Sequence, residues 1–281
     1  MNSFILQGAA RGPVVLDSPH SGNTFPADFD AAVSEFDLRE GEDCYIDELY
    51  QPATELGVPL LAALFPRTYL DPNRHAGDID LELIAGEWPH EHVPSGKAKI
   101  GKALIWRTLE DGRPIYSRKL SVAEVTTRIA RCHTPYHDKL VCLLDQAHAQ
   151  FGVVYHLNCH SMRAVAGKMG EGGAVQVRAD FVLGDRDGSS CDPAFTEFVR
   201  ATLAEMGYEV AVNDPYKGVE LVRAYSAPGE GRHSLQVEIN KRLYMDEATL
   251  EKSAGFDALQ ANLTRLVEAV LDYANHEVKH D

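Results

Sequence analysis

Apolar residues occur along the chain in short runs separated by polar turns. Most runs are almost continuously apolar, as in the buried strands of a mostly parallel sheet. They predict strands at residues 13–18, 59–64, 68–71, 153–158, 180–184, 208–213 and 234–240. The last run differs, because Leu235, Val237 and Ile239 alternate with polar residues. This period of two predicts a strand with one apolar and one polar face.

Helical spacing appears between these runs. Apolar positions within residues 46–56 fall on one helical face, and Pro52 predicts a kink or a late start there. Ser121 and Glu124 have the spacing of a capping box ahead of a long helical stretch, which Pro135 is expected to break.

Two more helices are predicted in the C-terminal half. Asp192 is a suitable N-cap, Pro193 suits the first helical position, and Gly207 can end that helix. Asp246 is expected to open a helical region that runs toward Glu277.

The alternation of strands and helices is typical of an α/β fold with a mostly parallel sheet. The 281 residues suffice for one large domain or two small ones. Residues 72–120 are different, since they are rich in Gly, Pro, Asp and His and show little periodicity. A long irregular stretch often covers an active site, so we expect an irregular insertion there.

The charge and the cysteines narrow the class of protein. A net charge of −15 disfavours nucleic acid and anionic membranes as partners, and an anionic substrate would need clustered arginines. No apolar stretch reaches the roughly 18 residues that span a bilayer. The N-terminus lacks the pattern of a secretory signal, and five cysteines without a C-x-x-C pair disfavour disulfides and thiolate metal sites. These features predict a cytoplasmic protein.

Two histidines follow two predicted strands. His20 comes after residues 13–18, and His160 comes after residues 153–158. Ligands bind at the carboxyl ends of strands in open α/β sheets, and a catalytic zinc takes three protein ligands, often imidazoles. The spacing alone favours a plainer alternative, in which both are hydrogen-bonded loop histidines.

Four carboxylates are candidates for a third ligand or a base. These are Asp17, Asp43, Asp47 and Glu238. Asp43 precedes a helix and could be only its N-cap, and Asp47 could be only a first-turn charge. Glu238 lies on the polar face of its strand, where it could be a general base for a metal-bound water or a solvated side chain.

Arginines that could bind an anionic substrate are concentrated in the stretch FPRTYLDPNR. It contains Arg67, Asn73 and Arg74. Guanidinium groups bind carboxylates in a bidentate manner, although these arginines could equally be surface charges. Arg163 and Arg223 lie near other candidate loops.

Taken together, these motifs resemble the N-formylglutamate amidohydrolase family. The matching pieces, in the family's order, are SPHSG (18–22), EDCYIDELY (42–50), RTYLDPNR (67–74), CHSMR (159–163), DGSSCDP (187–193), YKG (216–218) and HSLQVEINKRLYM (233–245). The ordered set, which extends over most of the chain, carries the resemblance.

The resemblance implies a single domain over residues 1–281, folded as a three-layer α/β/α sandwich with a mixed, mostly parallel sheet like that of zinc carboxypeptidases. It also implies one zinc ion per chain, or another divalent metal, bound by His20, Asp43 and His160. Related aspartoacylases use an H-x-x-E pair, but Asn23 stands three residues after His20 here. Asp43 is therefore expected to supply the missing carboxylate.

The resemblance further implies hydrolysis of N-formyl-L-glutamate to formate and L-glutamate, the end of a histidine-degradation route. Glu238 would be the general base, and Arg67 would stabilise the oxyanion. Substrate binding would fall to Asn73, Arg74, Arg163 and Arg223. The partner is then a small anionic N-acyl amino acid, and the oligomeric state is left open.

Three other functions are weighed against this one. They are a deacylase for another N-acyl amino acid, an inactive ligand-binding relative, and a serine hydrolase. The serine hydrolase is disfavoured because the sequence has no G-x-S-x-G motif.

Overall fold

The computed structural model describes residues 2–165 and 177–278. Its strands are β1 (Phe4–Gln7), β2 (Val14–Ser18), β3 (Leu60–Ala63), β4 (Ile84–Ala85), β5 (Leu120–Ser121), β6 (Val154–Met162), β7 (Phe181–Gly184), β8 (Val210–Val212) and β9 (Arg232–Asn240). Its α-helices are α1 (Glu35–Leu38), α2 (Ile46–Tyr50), α3 (Val122–Arg128), α4 (Thr134–Phe151), α5 (Pro193–Glu205), α6 (Glu220–Tyr225) and α7 (Phe256–Val278).

Seven strands form one mixed sheet in the order β1-β3-β2-β6-β9-β7-β8. The central strands β3, β2, β6 and β9 run parallel to one another, and so do β7 and β8. The pairs β1–β3 and β9–β7 are antiparallel. The carboxyl ends of the four central strands therefore lie at one edge of the sheet, together with the start of β7.

Helices cover both faces of this sheet. On one face α2, α5 and α7 pack over a core that contains Leu16, Leu157 and Leu235. On the other face α3 and α4 pack with much of the 72–120 region. Each fully buried aliphatic side chain contributes about 1.5–3 kcal/mol, so these two cores hold the three layers together. The predicted α/β/α sandwich with a mixed, mostly parallel sheet is confirmed.

The second face of β6 and β9 is polar, in three successive levels. Because the strands are parallel and in register, the side-by-side pairs are His156 with Ser234, Asn158 with Gln236, and His160 with Glu238. We call these the lower, middle and upper rungs. The alternation predicted for β9 is confirmed, and its polar side faces the protein interior.

Two strand predictions are wrong in detail. Residues 68–71 form a turn, in which the backbone N–H groups of Tyr69 and Leu70 both donate to the carbonyl of Pro66. A run of buried side chains is compatible with such a turn, so burial alone does not identify a strand. His160 lies inside β6 and not after it, because β6 stays paired with β9 as far as Met162.

Two helix predictions are also wrong in detail. Pro135 does not break its helix. A π-helical turn at Ile129–His133 joins α3 to α4, and its wider backbone accommodates the proline ring at the start of α4. Asp246 caps a turn through the N–H groups of Ala248 and Thr249, and α7 begins only at Phe256.

Other helix signals are confirmed. Ser121 and Glu124 form both hydrogen bonds of a capping box, and Asp192 caps α5 ahead of Pro193. The chain passes at Pro52 from α2 into a 3₁₀ helix, Gln51–Leu56. The edge strand β1 is not predicted, since its four residues show no clear alternation in burial. Among the described residues, no helix has the length and apolarity to cross a membrane.

Candidate active site

Three side chains from separate segments meet at the carboxyl edge of the sheet. His20 follows β2, Asp43 precedes α2, and His160 lies on β6. Asp43 Oδ2 is 3.3 Å from His20 Nδ1 and 3.0 Å from His160 Nδ1. The backbone N–H of Asp43 also donates to the carbonyl of His20 at 3.0 Å. All three residues are at most 3% exposed, so the group is sequestered from bulk water.

Gly22 fixes the position of the His20 loop. A Cβ atom at Gly22 would lie 2.5 Å from the carbonyl carbon of Leu64 and from the carbonyl oxygen of Phe65. Only glycine permits this approach of the loop to the end of β3. The glycine is therefore required by the neighbouring backbone and holds His20 at the sheet edge.

Asp71 orients the ring of His20. Its Oδ1 is 2.7 Å from His20 Nε2, and Arg67 Nη2 donates to its Oδ2 at 2.9 Å. Burial alone would raise the pKa of Asp71, but the charge of Arg67 and the hydrogen bond from His20 outweigh it and hold the pKa well below its usual range. An ionised Asp71 only accepts, so His20 Nε2 carries the proton and its Nδ1 presents a lone pair to Asp43.

A parallel chain of contacts orients His160. Asn158 Nδ2 donates to the carboxylate of Asp17 at 2.7 Å, which turns Asn158 Oδ1 toward His160 Nε2, also at 2.7 Å. Asn73 Nδ2 also lies 3.1 Å from His160 Nε2. The shorter contact is with the Asn158 oxygen, which favours the proton on Nε2 and leaves the lone pair of Nδ1 toward Asp43. Burial lowers the pKa of His160, so the ring is the neutral imidazole that binds metals.

The donor set fits a divalent cation. Two imidazole lone pairs and a carboxylate oxygen converge within 4.8 Å of one another. Without a cation or an extra proton between them, these acceptors would repel one another. Two nitrogen ligands and one oxygen ligand are a usual set for a catalytic zinc, and the carboxylate–histidine contact to Asp71 is the usual outer support.

Glu238 stands beside the three ligands. It is the neighbour of His160 across β6 and β9, and its Oε1 accepts a hydrogen bond from Gln236 at 2.8 Å. Burial, aided by the charge of Asp43, raises the pKa of Glu238 to about 8. Without a metal, its carboxyl group therefore holds a proton near neutral pH. A bound cation would favour the ionised form, which can act as a general base.

A cavity of about 820 Å³ opens over this group. It is lined by His20, Asp43, Arg67, Asn73, Arg74, Lys102, Trp106, His160, Arg163, Arg178, Gln236 and Glu238, among others. The lining includes several cationic side chains although the chain as a whole is acidic. This local reversal of charge suits an anionic ligand.

The predicted substrate-binding residues lie in three different places. Asn73 and Arg74 lie deep in the cavity, where Asn73 Oδ1 accepts from the N–H of Leu221 and the Nε of Arg74 is buried without a hydrogen-bond partner. Arg163 is part-exposed at the rim, 3.9 Å from Glu40. Arg223 lies outside the cavity on α6, where it is half exposed and paired with Glu220.

Sequence reasoning gave no role to three residues of the site. Asp71 lies in a quoted motif, and only its i, i+4 spacing from Arg67 could have indicated an ion pair. Lys102 has its Nζ 3.7 Å from the centroid of the Trp106 ring, inside the stretch expected to be irregular. Arg178 precedes β7, and nothing in the local sequence indicates that it faces the cavity.

The fold and the site define a class of α/β/α sandwich protein with a buried His–Asp–His centre, able to hold a metal ion, beneath a basic cavity. Within that class, the chain belongs to the N-formylglutamate amidohydrolase family, whose model matches residues 12–245.

Relatives agree with this assignment. The chain is 32% identical to an N-formylglutamate deformylase of Pseudomonas aeruginosa, over 96% of this chain and 94% of that protein. A second N-formylglutamate deformylase, of Pseudomonas putida, is 31% identical over 88% of this chain and 87% of that protein.

Solved structures agree as well. The crystal structure of N-formylglutamate amidohydrolase from Ralstonia eutropha JMP134 superposes with a TM-score of 0.93 at 44% identity, covering 99% of this chain and all of that one. A gene product of Agrobacterium tumefaciens, with a TM-score of 0.69 at 17% identity over 97% of this chain and 96% of that one, shares the fold.

Proposed function

We propose that this protein hydrolyses the amide bond of N-formyl-L-glutamate and releases formate and L-glutamate. The observation that carries the proposal is the convergence of His20, Asp43 and His160, with Glu238 beside them, at the floor of a basic cavity. Membership of the family and the names of the relatives supply the substrate.

Zinc is the proposed metal, with another divalent cation as the alternative. His20 and His160 would bind it through Nδ1, and Asp43 through a carboxylate oxygen. When bound, the ion supplies a Lewis acid that activates water and polarises the formyl carbonyl. Asp71 and Asn158 would keep both imidazole rings in the correct tautomer.

Glu238 moves the protons of the reaction. It accepts one from the attacking water as the new C–O bond forms, and it donates one to the amide nitrogen as the C–N bond breaks. The formyl group then leaves as formate, and the nitrogen becomes the amine of glutamate. A buried carboxyl with a raised pKa can hold the proton between these two transfers.

Arg67, Asn73 and Arg74 would bind the negative charges of the substrate. Arg67 is held by Asp71 beside the three ligands, which suits it to stabilise the developing oxyanion. Asn73 and Arg74 are the proposed partners of a carboxylate. Arg163 would act at the rim, whereas Arg223, outside the cavity, has no role in this proposal.

A product assay on a panel of N-acyl amino acids tests the function. The cavity is within the size range of sites for drug-sized ligands, so the panel includes N-acetyl and N-succinyl derivatives of glutamate. Formate and free amino acid are measured with protein of known metal content. We expect the highest kcat/KM with N-formyl-L-glutamate. Preferred release of a larger acyl group would favour a different deacylase on this fold.

We infer a cytoplasmic location and a role at the end of histidine degradation. All five cysteines are free in the structure, as expected of a protein from a reducing compartment. Fractionation of the native cells, followed by detection of the protein, tests the location.

A further inference from the structure

Arg178 is a buried cation that has no ion-pair partner among the described residues. It is 8% exposed and lines the cavity, and its Nε is buried without a hydrogen-bond partner. Its Nη1 donates to the carbonyl of Arg163 at 3.2 Å, and its guanidinium carbon lies 5.0 Å from the centroid of the Tyr216 ring. Within residues 2–165 and 177–278, no carboxylate lies within 4.0 Å of Arg178 to form an ion pair.

The other arginines of the cavity differ from Arg178 in this respect. Arg67 is paired with Asp71 at 2.9 Å, Arg74 lies 3.9 Å from the same carboxylate, and Arg163 lies 3.9 Å from Glu40. A buried charge is costly unless it is paired. The charge of Arg178 acts on Glu238 at longer range, but no described carboxylate forms an ion pair with its guanidinium. An anion in the cavity could therefore reach Arg178 and pair with it.

The topology of the sheet places Arg178 at the same edge as His20, Asp43 and His160, but on the far side of β9 from them. Because β7 runs antiparallel to β9, the start of β7 lies at the carboxyl edge of the central strands. In sheet order, β3 is adjacent to β2, which leads to His20, whereas β9 separates β7 from β6, which carries His160. Asn73, in the stretch that follows β3, lies 3.1 Å from His160 Nε2, whereas the side-chain contacts of Arg178 among the described residues are with Arg163 and Tyr216 and not with either histidine.

We propose that Arg178 binds the side-chain carboxylate of the substrate and makes the site selective for N-formyl derivatives of dicarboxylic amino acids. This inference rests on the proposed function. The α-carboxylate, which is close to the amide bond, would then bind Asn73 and Arg74. The side-chain carboxylate is two methylene groups farther away, which matches the more remote position of Arg178.

The test compares three N-formyl substrates that differ in charge. These are N-formylglutamate, N-formylglutamine, in which the side-chain charge is absent, and N-formylisoglutamine, in which the α-charge is absent. The variants are Arg178→Met and Arg178→Lys. The control is Arg242→Met, which removes an exposed arginine that pairs with Asp180 on the surface.

We expect Arg178→Met to lower kcat/KM for N-formylglutamate and N-formylisoglutamine by about 10²- to 10³-fold. The value for N-formylglutamine should remain near that of the wild type. Arg178→Lys keeps the charge but loses the paired donors of the guanidinium. Its ratio of kcat/KM for N-formylglutamate to kcat/KM for N-formylglutamine should therefore fall by about tenfold. If Arg178→Met does not fold, the fall in this ratio for Arg178→Lys alone tests the inference. Arg242→Met should behave as the wild type on all three substrates.

Two results would overturn the inference and leave the proposed hydrolysis of N-formylglutamate intact. One is an equal loss on N-formylglutamate and N-formylglutamine in both Arg178 variants. The other is a wild-type protein that cleaves N-formylglutamine as well as N-formylglutamate. A metal-loaded wild type without activity on N-formylglutamate would instead contradict the proposed function, and this inference with it.

Discussion

The lower and upper rungs of the β6–β9 pair contain similar residues but have different roles. In the lower rung, His156 Nδ1 is 2.7 Å from Ser234 Oγ, and His156 Nε2 is 2.8 Å from Asp17 Oδ1. A serine protease triad has the same three residue types, but there Nε2 faces the serine and Nδ1 faces the aspartate. In the upper rung, His160 and Glu238 stand at the floor of the cavity, with Asp43 between the two histidines.

The difference lies in access and unused bonding capacity. Asp17, His156 and Ser234 are at most 1% exposed, and Tyr136 and Asn158 donate further hydrogen bonds to Asp17. The lower rung therefore has no room for a substrate, and its bonds stabilise the sheet. Next to the upper rung, lone pairs of His20, Asp43 and His160 point at one another, so a cation or an extra proton is needed between them.

The largest expected effect separates the two rungs directly. His160→Ala, in the upper rung, removes a ligand. Bound metal and hydrolysis should fall to the levels of protein from which a chelator has removed the metal, while the fold survives. His20→Ala and Asp43→Asn should do the same. Elemental analysis with an activity assay measures both quantities, and Asp47→Asn, in the first turn of α2, is the control. A full metal complement in His160→Ala would contradict the assignment.

Removal of the base should affect chemistry alone. Glu238→Gln keeps the hydrogen-bonding shape but cannot accept the proton, so kcat should fall by about 10²- to 10⁴-fold. Metal content and KM should stay near the wild-type values. Near-normal turnover of this variant would show that another group moves the protons.

The contacts that orient the ligands should have an intermediate effect. Asp71→Asn weakens the support of His20 and is expected to lower metal affinity by about 10- to 100-fold. Because the ligands themselves remain, added metal should restore most of the activity. Activity that stays low at saturating metal would show that Asp71 acts in another way.

A change in the lower rung should affect stability and leave catalysis intact. Ser234→Ala leaves the Nδ1 of His156 without its partner, which should cost about 1–3 kcal/mol of unfolding free energy. Denaturant unfolding measures this cost, and kcat/KM should equal that of the wild type. A loss of activity without a loss of stability would show that the lower rung takes part in catalysis, contrary to the structural role argued for it.

The smallest expected effect is a pH dependence of the metal-free protein. The pKa of Glu238 is raised from 4.5 to about 8 by burial and by Asp43, so ionising it opposes folding. Stability is therefore retained below pH 4.5 and lost as the pH rises toward 8. Relative to the wild type, Glu238→Gln should gain at least about 1.4 kcal/mol over this interval, the equivalent of one pKa unit. Unfolding curves at several pH values measure the gain, and bound metal should reduce it.

Much of the fold and of the ligand group is predictable from sequence, for physical reasons. Continuous apolar runs indicate the central strands, and the polar alternation of β9 indicates the face on which Glu238 lies. Position next to a strand or helix marks His20 and Asp43 as candidates, and His160, which lies inside β6, is expected just after its strand. The family resemblance, and not position alone, selects these three as the ligand set. The turn at residues 68–71 and the late start of α7 are not predictable in this way, because tertiary packing decides them.

The remaining site residues depend on contacts between distant parts of the chain. Asp71 acquires its role from His20, 51 residues away, and Asn158 from Asp17, 141 residues away. Arg178 reaches the cavity only because β7 runs antiparallel to β9, and sequence periodicity contains no information on strand direction.

Metal titration of the chelated protein tests the central claim, that the upper rung and its neighbours form a metal-dependent hydrolytic site. Zinc would be added in steps, with bound metal and glutamate released from N-formylglutamate measured at each step. We expect no activity without metal and a linear rise that ends at one equivalent per chain. Full activity in the chelated protein, or one equivalent of bound metal without any release of glutamate, would contradict it.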